Sequence, residues 1–322
     1  MKKMVHNLWG IVILLTLATL FGIPGGFAQA EYPQIDAEGF LVAGEFVYEN
    51  PEEGVWRYAS PTLMVEIIRH KIEDKKFPLI YFVADVRARE GEYFRMVPKN
   101  ADPKQRMKRT SSIHLIAQEN NVIFATSSDF AHQRIQQGKR AGIIIREGVI
   151  LSDKTRSPKS TVFPNLDTLA LFPDGDMRVF AFDELTAEDY IGMGVSDVLA
   201  FGPVLIRDGI INEADVSIYG KYREPRIGVG MYEKGHYVVI LAEGRHDGST
   251  GVNMTMLAQM FQELGCPLAI NLDGGGSAGM VFMGTQLSRV GGNGKKIPVA
   301  RATAEILAIG NTALPLPTEN VP

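Results

Sequence analysis

The chain has 322 residues, 45% of them hydrophobic and 22% charged, enough to bury a substantial core and ordinary for a folded domain. Its formal net charge is −4; without Lys2 and Lys3 in the first thirty residues, 31 basic face 37 acidic residues, a net of −6. That balance argues against a nucleic-acid partner, and a single cysteine, Cys266, rules out any intrachain disulfide.

Lys2 and Lys3, the apolar run Leu8–Phe21, and Ala28-Gln29-Ala30 predict a signal peptide over residues 1–30, cleaved after Ala30. The expected product is secreted, periplasmic or held in the cell envelope, with no stable membrane span after cleavage. Residues 31–59 are expected to form a lead-in segment, 60–311 the domain, and 312–322 a loose Pro-rich tail. Residues 62–72 and Leu79–Val86 read as a hairpin across Asp74-Lys75-Lys76. Lys99, Lys104, Arg106, Lys108 and Arg109 read as a solvated loop, or more sharply as a rim that attracts an anionic polymer. A helix from Thr110 or Ser111 to Asn120-Asn121 precedes a strand Val122–Thr126. Four further hairpins follow, each with a glycine turn: Ile143–Ile145 with Val149–Leu151, Thr168–Phe172 with Met177–Phe182, Val204–Ile206 with Ile210–Ile211, and Gly228–Tyr232 with Tyr237–Leu241. Thr186-Ala187-Glu188-Asp189 predicts a capping box. Met254, Leu257, Ala258, Phe261 and Leu264 share one helical face, capped by Asn253 and stopped by Gly265 and Pro267. The fold class expected is α+β: mixed, largely antiparallel sheets, a few helices, and one strand–helix–strand crossover carrying the site.

That crossover is Tyr237–Ala242, the helix, then Leu268–Leu272. If its strands are parallel, both carboxyl ends reach one edge. Glu243-Gly244-Arg245 then emerges beside Asp273-Gly274-Gly275-Gly276-Ser277. Two carboxylates, one guanidinium and a run of unshielded amides suit an oxyanion and glycosyl transfer. Gly275-Gly276-Ser277-Ala278-Gly279 also fits the serine-hydrolase elbow. That elbow needs a following helix and a downstream histidine, whereas Met280–Met283 reads as a strand and His246 is the last histidine. His132, His236 and His246 are scattered and read as surface or core residues. No paired cysteines, H-E-x-x-H, EF-hand, Walker or dinucleotide pattern is present.

NLDGGGSAGM, preceded by YVVILAEGR and a helix ending ELGC, resembles the phosphodiester glycosidase family. PRIGVG (Pro225–Gly230), VLAFGPVLIRDG (Val198–Gly209), YFVADV (Tyr81–Val86) and RATAEILAIG (Arg301–Gly310) are similar too, so the resemblance covers nearly all of 60–310. It implies an exported hydrolase that cleaves a sugar-1-phosphodiester to free sugar and phosphomonoester, on a cell-surface or exopolysaccharide-type glycan. Arg245, Asp273, Gly274, Gly275, Gly276, Ser277 and Arg301 match the motif. The implied roles are phosphate holding by Arg245, Arg301 and the glycine run. Asp273, with Glu243 or Asp129, would act at the anomeric carbon or its leaving oxygen. Two positions depart from the family. Glu243 stands for its usual Asp, and Ser127-Ser128 for an Asn-Gly pair, which makes a catalytically silent glycan-binding protein the alternative. No cofactor is expected and a divalent metal stays open.

Overall fold

The computed structural model describes residues 34–102, 106, 108–129, 142–155, 166–218, 220–289 and 301–317. The expected signal peptide, its cleavage point and Lys104 lie outside them. In chain order the strands are β1 (Phe46–Asn50), β2 (Val55–Ala59), β3 (Leu63–Ile72), β4 (Leu79–Ala88), β5 (Arg95–Pro98), β6 (Val122–Thr126), β7 (Ile143–Arg146), β8 (Val149–Asp153), β9 (Asp167–Leu171) and β10 (Met177–Phe180). Then come β11 (Asp197–Phe201), β12 (Val204–Arg207), β13 (Ile210–Ile211), β14 (Arg226–Glu233), β15 (His236–Ala242), β16 (Leu268–Leu272), β17 (Met280–Phe282), β18 (Thr285–Gln286) and β19 (Glu305–Asn311). The helices are α1 (Ile113–Glu119), α2 (Ala187–Gly192), α3 (Glu213–Ile218) and α4 (Met254–Glu263).

Nine strands form the largest sheet, in the order β1-β2-β3-β4-β15-β14-β16-β12-β13, and two five-stranded sheets run β10-β9-β11-β7-β8 and β18-β17-β6-β19-β5. All five expected hairpins are present with antiparallel registers. The α+β class holds, and every ladder among the described strands is antiparallel. The crossover gives β15 and β16 the same direction, but β14 lies between them and pairs antiparallel with both. The two carboxyl ends therefore share one edge, on either side of the start of β14.

Alternation along the strands explains the layering. Val229, Val239, Leu241, Ile270 and Leu272 turn to one face of the large sheet and join Phe124, Leu169, Leu199, Met280, Phe282 and Leu307 from the two smaller sheets in a single core. Val238, Ile240 and Ala269 turn to the other face, against Leu257, Ala258 and Phe261 of α4. Phe261 seats on two bare backbone positions, since a Cβ at Gly228 would stand 2.8 Å from its ring. Burying such a ring contributes roughly 1.5–3 kcal/mol, and Gly228→Ala would expel it. Asn253 Oδ1 accepts the Met256 N–H at 2.8 Å to start α4, and the Thr186–Asp189 capping box closes the start of α2.

Three features differ from expectation. Residues 46–59, expected as a lead-in, form β1 and β2 of the large sheet, with Trp56 and Tyr58 in its core. In the expected loose tail, Leu316 packs against that core. Arg106, placed in a solvated loop, is buried and donates through Nε to Glu305 at 2.6 Å. No helix among the described residues is long and apolar enough to cross a membrane.

Candidate active site

The start of β14 is the wedge around which the site is arranged. Gly244, after β15, and Gly274, after β16, both crowd Pro225: Cβ atoms there would stand 2.9 Å from its nitrogen and 2.7 Å from its carbonyl oxygen. Glycine allows that approach, so Glu243–Arg245 and Asp273–Ser277 leave the sheet side by side. β6 brings a third segment. Ser127 Oγ donates to the Asp273 carbonyl at 2.9 Å, and the Asp273 N–H donates to the Ser128 carbonyl at 3.0 Å. Ser128 Oγ donates to the Glu305 carbonyl at 3.1 Å, so both serine hydroxyls brace backbone.

Arg301 closes over the glycine turn. Its N–H donates to the Gly276 carbonyl at 2.9 Å and its Nη1 to Ser277 Oγ at 3.0 Å, while the same Nη1 lies 3.5 Å from Asp273 Oδ2. Arg245 has a left-handed φ of 64° and pairs through Nε with Glu224. Its guanidinium lies over Gly275, where a Cβ would stand 3.3 Å from the nearer terminal nitrogen. Arg245, Asp273, Ser277 and Arg301 thus surround one turn.

Part of the run of amides expected to cradle an oxyanion is bonded within the protein. Gly275 N–H donates to the Pro225 carbonyl at 2.8 Å, Ser277 N–H to Gly274 at 3.0 Å and Ala278 N–H to Gly275 at 3.3 Å. The chain bends there into a short 3-10 turn, Gly275–Ser277. Strand β17 follows instead of a helix, as the exclusion of a serine-hydrolase elbow requires.

Glu243 is 2% exposed and accepts on both oxygens. Arg289 N–H donates to Oε1 at 2.6 Å, and His246 Nε2 lies 3.1 Å from Oε2. The Gly248 N–H donates to His246 Nδ1 at 3.2 Å, so the ring proton sits on Nε2 and His246 donates to Glu243. Burial pushes Glu243 above the usual carboxyl range, against the opposing pull of Arg289 and His246. Asp129 lies elsewhere in the electrostatics. Its Oδ2 accepts from the buried Arg146 Nη2 at 2.7 Å, and Arg146 also pairs with Glu305 at 2.8 Å. Asp129 therefore anchors a buried ionic network two residues from Ser127, with its carboxylate turned to Arg146.

Sequence reasoning missed His246, Arg289, Glu224, Arg146 and Glu305. Asp247-Gly248 was a usable signal for the first, because that turn folds His246 back onto Glu243. The others act over separations no local pattern encodes. A cavity of about 330 Å³ opens elsewhere, lined by Glu66, His70, Tyr81, Asp85, Met260 and Glu263 among others, and no strand-tip residue lines it. Among the described residues no three His, Cys, Asp or Glu side chains gather as a metal site.

The family model described as phosphodiester glycosidase matches residues 120–309, which include every strand-tip residue above. The SPbeta prophage-derived uncharacterized protein YomE of Bacillus subtilis (strain 168) is 26% identical over 174 residues, 53% of this chain; the match spans only 26% of that relative's length. Among solved structures, the zebrafish N-acetylglucosamine-1-phosphodiester alpha-N-acetylglucosaminidase catalytic domain, auto-inhibited by its pro-peptide, aligns with a TM-score of 0.62 at 18% identity, covering 79% of this chain and 85% of that one. A hypothetical protein from Synechocystis aligns with a TM-score of 0.54 at 12% identity, covering 78% and 62%. At those identities the structural likeness concerns the fold.

Proposed function

The chain belongs to the phosphodiester glycosidase family, and on that premise we propose that it hydrolyses a sugar-1-phosphodiester to free sugar and phosphomonoester. The observation that carries the reading is the ring of Arg245, Arg301 and Ser277 around Asp273 on one glycine turn. Two guanidiniums can hold a phosphodiester while a carboxylate addresses the sugar carbon beside it. Glu243 and Asp273 stand in different environments. Glu243 is buried and pushed toward its protonated form, which suits proton donation to a leaving oxygen; Asp273, beside Arg301, suits attack on C1 or activation of water. The glycine turn contributes shape and close approach, with the Gly275 and Ser277 amides bonded within the protein. Export through the expected signal peptide and action on a cell-surface or exopolysaccharide-type glycan belong to the same proposal.

A phosphodiester can break at C1–O or at P–O. In the first, the leaving oxygen is that of a phosphate already stabilised by arginines, so proton donation from Glu243 would only assist its departure. The test is the purified mature protein on a panel of sugar-1-phosphodiesters in oxygen-18 water, read by mass spectrometry. Label in the released sugar supports the glycosidase; label in the phosphate would overturn it. The second reading, a glycan-binding protein without turnover, rests on Ser127 and Ser128. Binding without release of sugar across the panel would select it.

A further inference from the structure

Arg226 opens β14 between the two strand tips and is 8% exposed. Its Nε is wholly buried without an acceptor, and the side chain makes no hydrogen bond or ion pair with any described residue. Other buried arginines here are satisfied: Arg146 meets Asp129 and Glu305, and Arg106 meets Glu305 and Glu147. The nearest opposite charge felt by Arg226 is Glu224, whose carboxylate pairs with Arg245; Arg245 itself repels Arg226. Among the described residues no carboxylate pairs directly with Arg226.

An unpaired buried charge costs several kcal/mol in the empty protein, and a structural arginine is not expected to stand so. The surroundings keep its place open. Gly220 lies over the guanidinium with φ 70°, and a Cβ there would stand 2.7 Å from Arg226 Nη2. The Arg226 backbone runs beside the glycine turn, its Cα 3.5 Å from where a Gly274 Cβ would be, one residue past Asp273. The planar fork of an arginine matches two oxygens of a phosphoryl group, whereas no described residue offers its Nε an acceptor.

We infer that Arg226 is an oxyanion-binding residue that, together with Arg245, takes the phosphoryl group of the ligand. The inference rests on the phosphodiester reading for its ligand class, but not on turnover. An arginine that awaits a ligand has a signature a structural one lacks. Its removal leaves the empty protein as stable or more stable, and removes anion binding.

The experiment is calorimetric titration of the full chain with inorganic phosphate and, separately, with dimethyl phosphate, alongside thermal unfolding of the unliganded protein. Wild type, Arg226→Met and Arg226→Lys are compared. Arg226→Met is expected to weaken anion binding by roughly tenfold to a hundredfold, the loss of one charge-assisted pair, with an unliganded Tm equal to or above wild type. Arg226→Lys should fall between them. Tighter binding of the monoester identifies the phosphate product as the occupant, tighter binding of the diester the substrate. Unchanged affinity in Arg226→Met, no anion binding by wild type, or a Tm lowered by several degrees would each overturn the inference. Turnover of a sugar-1-phosphodiester with a KM unmoved by Arg226→Met overturns it and leaves the glycosidase reading standing. Anion binding lost with Arg226, in a protein that releases no sugar, does the reverse.

Discussion

With the Arg289 N–H, His246 favours the ionised form of Glu243 against burial, and replacing it with phenylalanine tests its share. Phenylalanine keeps the ring volume of a side chain that is 12% exposed but removes the Nε2–H that donates to Oε2. A hydrogen bond to a buried charge contributes about 1.5–3 kcal/mol, which corresponds to about 1–2 pH units in the Glu243 ionisation. Burial already holds Glu243 above its ordinary 4.5, so the native state keeps that proton longer than the unfolded chain. Its stabilising contribution is therefore present below the unfolded value and is lost as pH rises through the folded one. His246→Phe raises the folded value further and deepens that loss on the alkaline side. The variant also forfeits the acceptor for the Gly248 N–H, a bond that only a neutral imidazole can accept. Urea denaturation of both proteins from pH 4 to pH 8 reads the combined effect. The variant's extra instability should grow by about 1.5–3 kcal/mol between those limits. The limb of the kcat/KM profile that reports Glu243 should move alkaline by about 1–2 units. A stability difference that is flat across the range would show that His246 does not donate to a carboxylate there, and the tautomer argument fails.

Asp273→Asn should lower kcat by about 10²–10⁴-fold with little change in affinity, whereas Arg245→Ala should lose both, as steady-state kinetics and phosphate titration would record. Ser127→Ala should cost about 1–3 kcal/mol in urea denaturation, because it leaves the buried carbonyl of Asp273 without its donor. Ser127→Asn with Ser128→Gly, the family's usual pair, should not raise turnover, since both hydroxyls support backbone; a restored rate would show that a substrate-facing amide is what this chain lacks. Arg146→Met should destabilise by about 3–5 kcal/mol by removing the buried cation that Asp129 and Glu305 share, with Arg106 still paired to Glu305, and a small change in urea midpoint would contradict the network.

The sequence discloses what is local. Hairpins with a glycine turn, the cap of α4 and the strands of the crossover follow from short patterns, and the crossover's direction puts Glu243 and Asp273 at one edge before any coordinate is known. Long-range pairing is a different matter. Nothing near Phe46 or Val55 announces that β1 and β2 extend the sheet begun by β3. The short helix α3 lacks a periodic apolar face long enough to read, with Val216 its one buried residue. Arg146 and Glu305 meet across 159 positions, so their pairing is invisible to spacing. The glycine run misleads for a further reason. Three glycines mark a place of close backbone approach, but composition cannot tell whether the amides face a ligand or, as at Gly275 and Ser277, the chain itself.

The strand tips are held unequally, and the inequality assigns them different work. On one side Asp273 is fixed by rigid, buried contacts: the hydroxyl of Ser127, the carbonyl of Ser128, and behind them a guanidinium that joins several elements. Arg146 reaches the Val198 carbonyl on β11 at 2.6 Å, Glu305 on β19 and Asp129 beyond β6, so one side chain locks both smaller sheets behind the carboxylate. Charge pairing in a dry interior demands a narrow geometry, which apolar packing alone does not impose. On the other side, Arg245 and Arg301 remain 29% and 27% exposed on long side chains, each anchored at one end to the site. A nucleophile or base gains from being immobile, while groups that gather an anion gain from reach. On the proposed phosphodiester reading, the locked face would serve the chemistry at the sugar carbon, and the arginine face, with Arg226 behind it, would serve the phosphoryl group.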